Sequence, residues 1–253
     1  MRKSKTLARI RAGEVIRTCV LGHYIPAYIC HAAREGYDCI WVDLEHRALT
    51  LHQIQAMFAF SHLYDIDIML RPPTLEKTGL YRYLEDGAAG LLIPHVSTAE
   101  KAKMLVDAVK FPPLGDRGID NAGLDADFHL HDPDHYVKWA NDETFLSVQI
   151  ETPEGVQNVD EIAAVEGVDI LFVGPGDLGL RLGQSGEMTL DEAWERVVAA
   201  CKKHGKAFGG PTVPLDEMKK RNDQGAQLLI NNSEFQNLTA GLKENIQKFD
   251  ELS

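Results

Sequence analysis

The sequence predicts an α/β fold, a closed (β/α)8 barrel, on three observations. Short apolar runs rich in Val, Ile and Leu alternate with longer helical stretches eight times along the chain. No Asn-Gly or similar two-residue turn joins two apolar runs, so nothing signals antiparallel hairpins. The length, 253 residues, suits one large barrel domain, and we read 1–253 as that single domain. A doubly wound open sheet competes, but Gly22-His23-Tyr24 stands where its glycine-rich dinucleotide loop would follow the first strand.

The elements follow in order. Lys5–Ala12 is a helical lead-in closed by Gly13. A first strand, 18–21, ends at Gly22-His23; the helix 26–35 follows and Gly36 stops it. The strand 39–42 runs into Asp43-Leu44-Glu45-His46, and Thr50 caps the helix Leu51–Leu63. The strand 66–70 leads to Arg71-Pro72-Pro73, and the helix 75–86 ends at Gly87. Gly90–Ile93 is a strand closed by Pro94, and the capping signal Ser97-Thr98-Ala99-Glu100 starts a helix running to about Val109. Residues 111–141 break the rhythm and read as a long loop excursion of the functional kind. Phe145–Ile150, a helix from Thr152-Pro153-Glu154, and the strand 168–173 come next. The helix Leu190–His204, the strand 207–210, the helix 215–222, the strand 227–230 and the helix 234–249 close the chain.

Composition narrows the function. A hydrophobic fraction of 44% and a charged fraction of 25% are ordinary for a soluble globular enzyme. A net charge of −12 argues against nucleic acid or an anionic membrane surface as partner. Cys19, Cys30, Cys39 and Cys201 lie far apart and read as buried thiols of a reducing compartment. The basic N-terminus lacks the apolar run of a signal peptide and no stretch is long enough to span a bilayer, so a cytoplasmic location is expected.

The chemistry concentrates at strand ends. Glu151 follows one strand, and Asp177 lies just past Gly174-Pro175-Gly176 after the next. Adjacent parallel strands would set these acids side by side at one rim, where a divalent metal would offset their repulsion. From spacing alone, helix N-caps or first-turn acids are the commoner reading. Working residues of a barrel sit where strands end and βα loops begin. Those positions here hold His23, Asp43, Glu45, His46, Arg71, His95, Gln149, Glu151, Asp177, Thr212, Asn231 and Asn232. The set offers two acids for a metal, an arginine for a carboxylate or enolate, and histidine for proton transfer. No lysine ends a strand, which favours metal-assisted over Schiff-base chemistry. Structural roles stand beside these: His46 bonding Asp43, Arg71 pairing with Glu45 or Asp43, Gln149 as a satisfied core amide. His129, His131 and His135 in the excursion read as solvated turn residues.

Six segments carry a resemblance: VDLEH (42–46), RPP (71–73), GAAGLLIPHVSTAEKA (87–102), FPPLGDRG (111–118), QIET (149–152) and VEGVDILFVGPGDL (165–178). Together, from about His23 to Asn232, they resemble the HpcH/HpaI family of metal-dependent class II pyruvate aldolases, the 4-hydroxy-2-oxoheptanedioate and 2-dehydro-3-deoxyglucarate type. The resemblance implies Glu151 and Asp177 as ligands of Mg²⁺, Mn²⁺ or Co²⁺. It makes Arg71 the residue that holds the keto acid and stabilises its enolate, and His46 the general base. Gln149, Asp177 and the backbone at Gly176 become keto-acid contacts. Glu85, within Leu84-Glu85-Asp86-Gly87, stands where the family usually has an Asp partner for the base, and Gly176 where it usually has Ala. The activity implied is reversible cleavage of a 4-hydroxy-2-oxo acid to pyruvate, or a similar 2-oxo acid, and an aldehyde. The assembly implied is a homo-hexamer of three dimers that exchange the last helix. Oxaloacetate decarboxylation, a malyl- or citramalyl-CoA-type lyase, and a non-catalytic keto-acid-binding barrel are the alternatives.

Overall fold

A computed structural model describes residues 2–186 and 188–252. Eight strands, β1 (Ile16–Leu21), β2 (Cys39–Asp43), β3 (Asp67–Arg71), β4 (Gly90–Ile93), β5 (Phe145–Ile150), β6 (Ile170–Val173), β7 (Ala207–Pro211) and β8 (Leu228–Ser233), pair in parallel and close into a ring. The expected barrel is therefore the observed one. Helices α1 (Lys5–Ala12), α2 (Pro26–Arg34), α3 (Leu51–Leu63), α4 (Lys77–Glu85) and α5 (Ala99–Val109) belong to its first half. The second half holds α6 (Pro133–Glu143), α7 (Pro153–Gln157), α8 (Val159–Ala163), α9 (Pro175–Ser185), α10 (Leu190–His204), α11 (Leu215–Asp223) and α12 (Glu234–Asp250).

Side-chain alternation sets the two layers of the core. Ile16, Met69, Leu92, Phe145, Phe172 and Leu228 fill the barrel, while Ile68, Leu70, Leu146, Val148 and Ile150 pack outward against the helices. The barrel narrows at β4, where a Cβ on Gly90 would come within 2.4 Å of the Phe145 ring; only glycine admits that ring. The period of two carries the inward face on to the strand ends. Arg71 follows Met69 on that face, and Gln149 follows Phe145 and Ser147.

Three local readings change. The excursion carries α6, begun by Asp132, whose side chain accepts from the His135 amide, with Pro133 in the first turn. That Asp-Pro pair is an ordinary helix start, obscured in the sequence by the surrounding turn formers. The segment after Gly174, given no element by the sequence, is the helix α9. The cap of α5 is Thr98, while Ser97 bonds Thr152 Oγ1 at 2.8 Å. The excursion is anchored by Arg117, whose guanidinium stacks 4.5 Å from the Phe111 ring centroid and bonds Asp125 (3.0 Å) and Tyr136 (2.8 Å). No helix among the described residues is long and apolar enough to cross a membrane.

Candidate active site

The strand ends bring Asp43, Glu45, Arg71, His95, Gln149, Glu151 and Asp177 to one rim. Asp43 and Arg71 are register partners of β2 and β3, and Arg71 Nε donates to Asp43 Oδ1 over 2.8 Å. The same guanidinium meets Glu45 Oε2 at 2.9 Å, lies 3.5 Å from Gln149 Oε1, and sits over the Trp41 ring at 4.7 Å. Arg71 therefore pairs with both acids that the sequence offered it, and it does so almost fully buried. Burial pushes the Asp43 carboxyl up, but the hydrogen bond and charge of Arg71 outweigh that and hold it below the usual carboxylate range.

Glu151 stands just beyond β5 and is itself buried. Its Oε2 accepts from Gln149 Nε2, and its Oε1 accepts from the His95 backbone N–H at 2.7 Å. The His95 ring then bridges two acids, with Nδ1 at 3.0 Å from Glu151 Oε1 and Nε2 at 3.5 Å from Glu45 Oε1. His95 makes these contacts from the left-handed region, at φ 56°. Burial drives the Glu151 carboxyl above its ordinary value, and the Asp177 and Glu45 charges push the same way while His95 offsets part of it.

Asp177 occupies the first turn of α9. Glu151 is no cap, because Thr152 holds that place for α7. The first-turn reading thus applies to Asp177 and fails for Glu151, whose burial has to be explained otherwise. Gly174 lets the two segments meet: a Cβ there would fall 2.7 Å from Gln149 Nε2 and 3.0 Å from Glu151 Oε2. Gly176 borders open space, with no heavy atom within 4 Å of a built Cβ.

Arg181 was not legible as a site residue. Its Nη1 donates to the Glu151 carbonyl at 2.7 Å and its Nη2 lies 3.7 Å from Asp177 Oδ1, so it ties the two acid-bearing segments together. Its spacing of four from Asp177 on a helix was the available signal.

The histidines separate. His46 is exposed and lies 3.7 Å from Glu45 Oε2. His23 is turned to Glu234 at 2.7 Å. His131 pairs with Asp127 in the excursion, as a loop residue would. Glu85 is not brought to His46: no hydrogen bond or ion pair joins them among the described residues. Its electrostatic neighbours are Arg117, Asp125, Asp120 and Asp86, and burial pushes its carboxyl up to about 7. The register at the C-terminal end of α4 aims it at the excursion.

The donor chemistry of this rim fits a hard divalent cation. Glu151 and Asp177 supply oxygen only, their charges raise one another's cost, and no cation other than Arg181 reaches Asp177 among the described residues. No group of three or more His, Cys, Asp or Glu side chains is gathered around a point among the described residues, so protein donors would leave most coordination positions to substrate and water.

Comparison with known proteins places the chain in a family. Residues 21–239 match the family model described as HpcH/HpaI aldolase/citrate lyase. The chain belongs to that family. It is thus an enzyme of the aldolase type, a carbon–carbon lyase. A hydroxypyruvate/pyruvate aldolase of Roseovarius nubinhibens is 34% identical over 223 residues, 87% of this chain and 86% of that one. A 2-keto-3-deoxy-L-rhamnonate aldolase of Klebsiella pneumoniae is 34% identical over 70% of this chain and 67% of its own. The crystal structure of an HpcH/HpaI aldolase from Desulfitobacterium hafniense superposes with a TM-score of 0.89 at 30% identity, covering 97% of this chain and 96% of that one.

Proposed function

We propose that this HpcH/HpaI family member is a divalent-metal-dependent aldolase that reversibly splits 4-hydroxy-2-oxo acids into pyruvate, or a similar 2-oxo acid, and an aldehyde. The observation that carries the reading is the buried Glu151, whose carboxyl feels the charge of Asp177 and which is one hydrogen-bonded step, through Gln149, from Arg71. Glu151 and Asp177 would hold Mg²⁺, Mn²⁺ or Co²⁺. When bound, such an ion supplies Lewis acidity toward the keto and carboxylate oxygens of a 2-oxo acid.

The protein's own groups do the rest. Arg71, fixed by Asp43 and Glu45, presents a cation where negative charge grows on the keto oxygen as a C3 proton leaves. Gln149 and the backbone at Gly176 would orient the keto acid, Gln149 being locked between Arg71 and Glu151. His46, exposed on the β2–α3 loop, would take the C3 proton and return it in the reverse direction. Glu45 is its nearest carboxylate and the better supported orienting group; the position of Glu85 supports a structural role in the excursion.

The row Leu238, Leu242, Ile246 and Phe249 lies exposed along α12. A cleft of about 270 Å³ outside β1 and β8, lined by Val15, Tyr37, Met218 and Leu229, has the apolar character to take such a row. Both features support subunit association through exchange of α12, in the hexamer of three dimers that the family resemblance implies. Four free cysteines, three of them buried, support a reducing, cytoplasmic setting.

The deciding experiment is exchange of the pyruvate methyl protons in D₂O, followed by NMR. Exchange that requires Mn²⁺ or Mg²⁺ and stops with EDTA is expected; a protein that binds pyruvate and metal without exchange is a binding barrel instead.

A further inference from the structure

His95, just past β4, meets the rim acids with its backbone and its ring at once. Its main-chain N–H donates to Glu151 Oε1 at 2.7 Å, and ring Nδ1 reaches the same oxygen at 3.0 Å. Glu151 Oε2 is met separately, by Gln149 Nε2. Among the described residues, His95 therefore supplies both contacts to one oxygen of this buried carboxylate and Gln149 the contact to the other. The far ring nitrogen, Nε2, lies 3.5 Å from Glu45 Oε1. Both ring nitrogens are thus directed at carboxylates, and neither is offered to an ion.

The chain holds His95 in place from several sides. Its φ of 56° lies in the left-handed region, which glycine and asparagine enter more readily than most side chains. Lys101 Nζ, on which the Glu151 charge acts, donates to His95 O at 2.8 Å and to Pro94 O at 3.4 Å. The next amide, Val96 N–H, donates to Gln149 O at 3.1 Å and returns the loop to β5. A conformation of this kind persists where its surroundings over-determine it, and such residues collect at functional sites. Here the result is a carboxylate whose direction is set before any ion arrives. With only Glu151 and Asp177 as protein ligands, that direction bears strongly on affinity, because freedom lost on binding weakens it.

We propose that His95 is a positioning residue for the metal site: its ring holds the Glu151 carboxylate ready for a divalent cation without being a ligand itself. The proposal rests on the two-acid metal reading and extends it to a residue outside the ligand pair.

The test is Mn²⁺ titration by EPR, with no substrate present. His95→Gly accepts the left-handed backbone and keeps the main-chain N–H, so it removes the ring alone; Mn²⁺ affinity should fall by about 10–100-fold. His95→Phe fills the loop with a ring that has no nitrogen and should lose as much. His95→Asn also suits the backbone and returns an N–H near the place of Nδ1, so it should recover most of the affinity. A histidine that merely fills the loop would leave Mn²⁺ affinity at the native level in His95→Gly or His95→Phe, and that result overturns the proposal. An asparagine variant as weak as the glycine one overturns it too, as do imidazole nitrogen couplings on bound Mn²⁺ that His95→Gly removes, since these would make His95 a ligand. In each of these cases native protein still binds Mn²⁺ and the two-acid reading stands; native protein that binds none overturns that reading and the positioning role with it.

Discussion

Asp43 and Arg71 face one another across the β2–β3 pair, joined at 2.8 Å, with side chains only 10% and 7% exposed. Two charges so buried are tolerable only as a pair. Arg71→Ala would leave Asp43 and Glu45 without their cation and should cost about 3–5 kcal/mol of stability. Pyruvate proton exchange should vanish with it. Asp43→Asn keeps the shape and separates the effects: it should fold, and slow exchange without abolishing it. Denaturant midpoints beside NMR exchange rates would check both. Because Asp43 titrates below its unfolded value, its contribution is intact above about pH 3.9 and fades as pH falls through the lower folded value.

Glu151→Gln and Asp177→Asn should each weaken Mn²⁺ binding by about 10-fold or more and remove metal-dependent exchange. Mn²⁺ titration by EPR gives a readout independent of turnover. Unchanged Mn²⁺ affinity in both variants would falsify the two-acid site.

Glu85 makes a prediction of opposite sign to the usual carboxylate. Its folded value is raised to about 7, against about 4.3 for an unfolded glutamate, so the folded state binds the proton more tightly. Stability should therefore fall as pH rises from about 4.3 to about 7 and then level off. Glu85→Gln should have a higher Tm than the native protein at about pH 8, and the gap should close as pH approaches 4.3. Constant Tm differences across that range would contradict the assignment.

Gly174→Ala would thrust a methyl group to 2.7 Å from Gln149 Nε2 and 2.9 Å from Glu151 Cβ. A loss of about 1–3 kcal/mol is expected, as for overpacking elsewhere. Mn²⁺ affinity should fall as well, since Glu151 is the group displaced. Gly176→Ala, bordering open space, should change neither.

His46→Ala should retain Mn²⁺ and pyruvate binding but slow methyl exchange by about 10²–10⁴-fold, the usual range for a general base. Glu45→Gln should lower exchange further than Glu85→Gln does, because Glu45 and not Glu85 lies beside the imidazole.

The barrel was readable because every strand and its helix left a local mark: apolar runs of four to six residues, and caps such as Thr50 and Gly13. Glu151, Asp177 and Arg71 were readable for a related reason, since strand ends in a parallel barrel converge on one rim. The same logic could not say that Gln149 points inward, because Phe145–Ile150 is buried on both faces and shows no alternation. His95 was visible as a strand-end residue, but its bridge between Glu45 and Glu151 depends on a left-handed backbone that the sequence does not announce. Glu85 was placed by its position in a motif, which carries no information about the charges of Arg117, Asp125 and Asp120 that surround it in three dimensions.

The row on α12 has a consequence for handling the protein. Leu238, Leu242, Ile246 and Phe249 are 55–68% exposed in the isolated chain, more apolar surface than one face of a helix ordinarily leaves in water. If a neighbouring copy covers them, dilution removes that cover by mass action. The thermal midpoint should then climb with protein concentration, and truncation after Glu234 should make it independent of how much protein is in the tube.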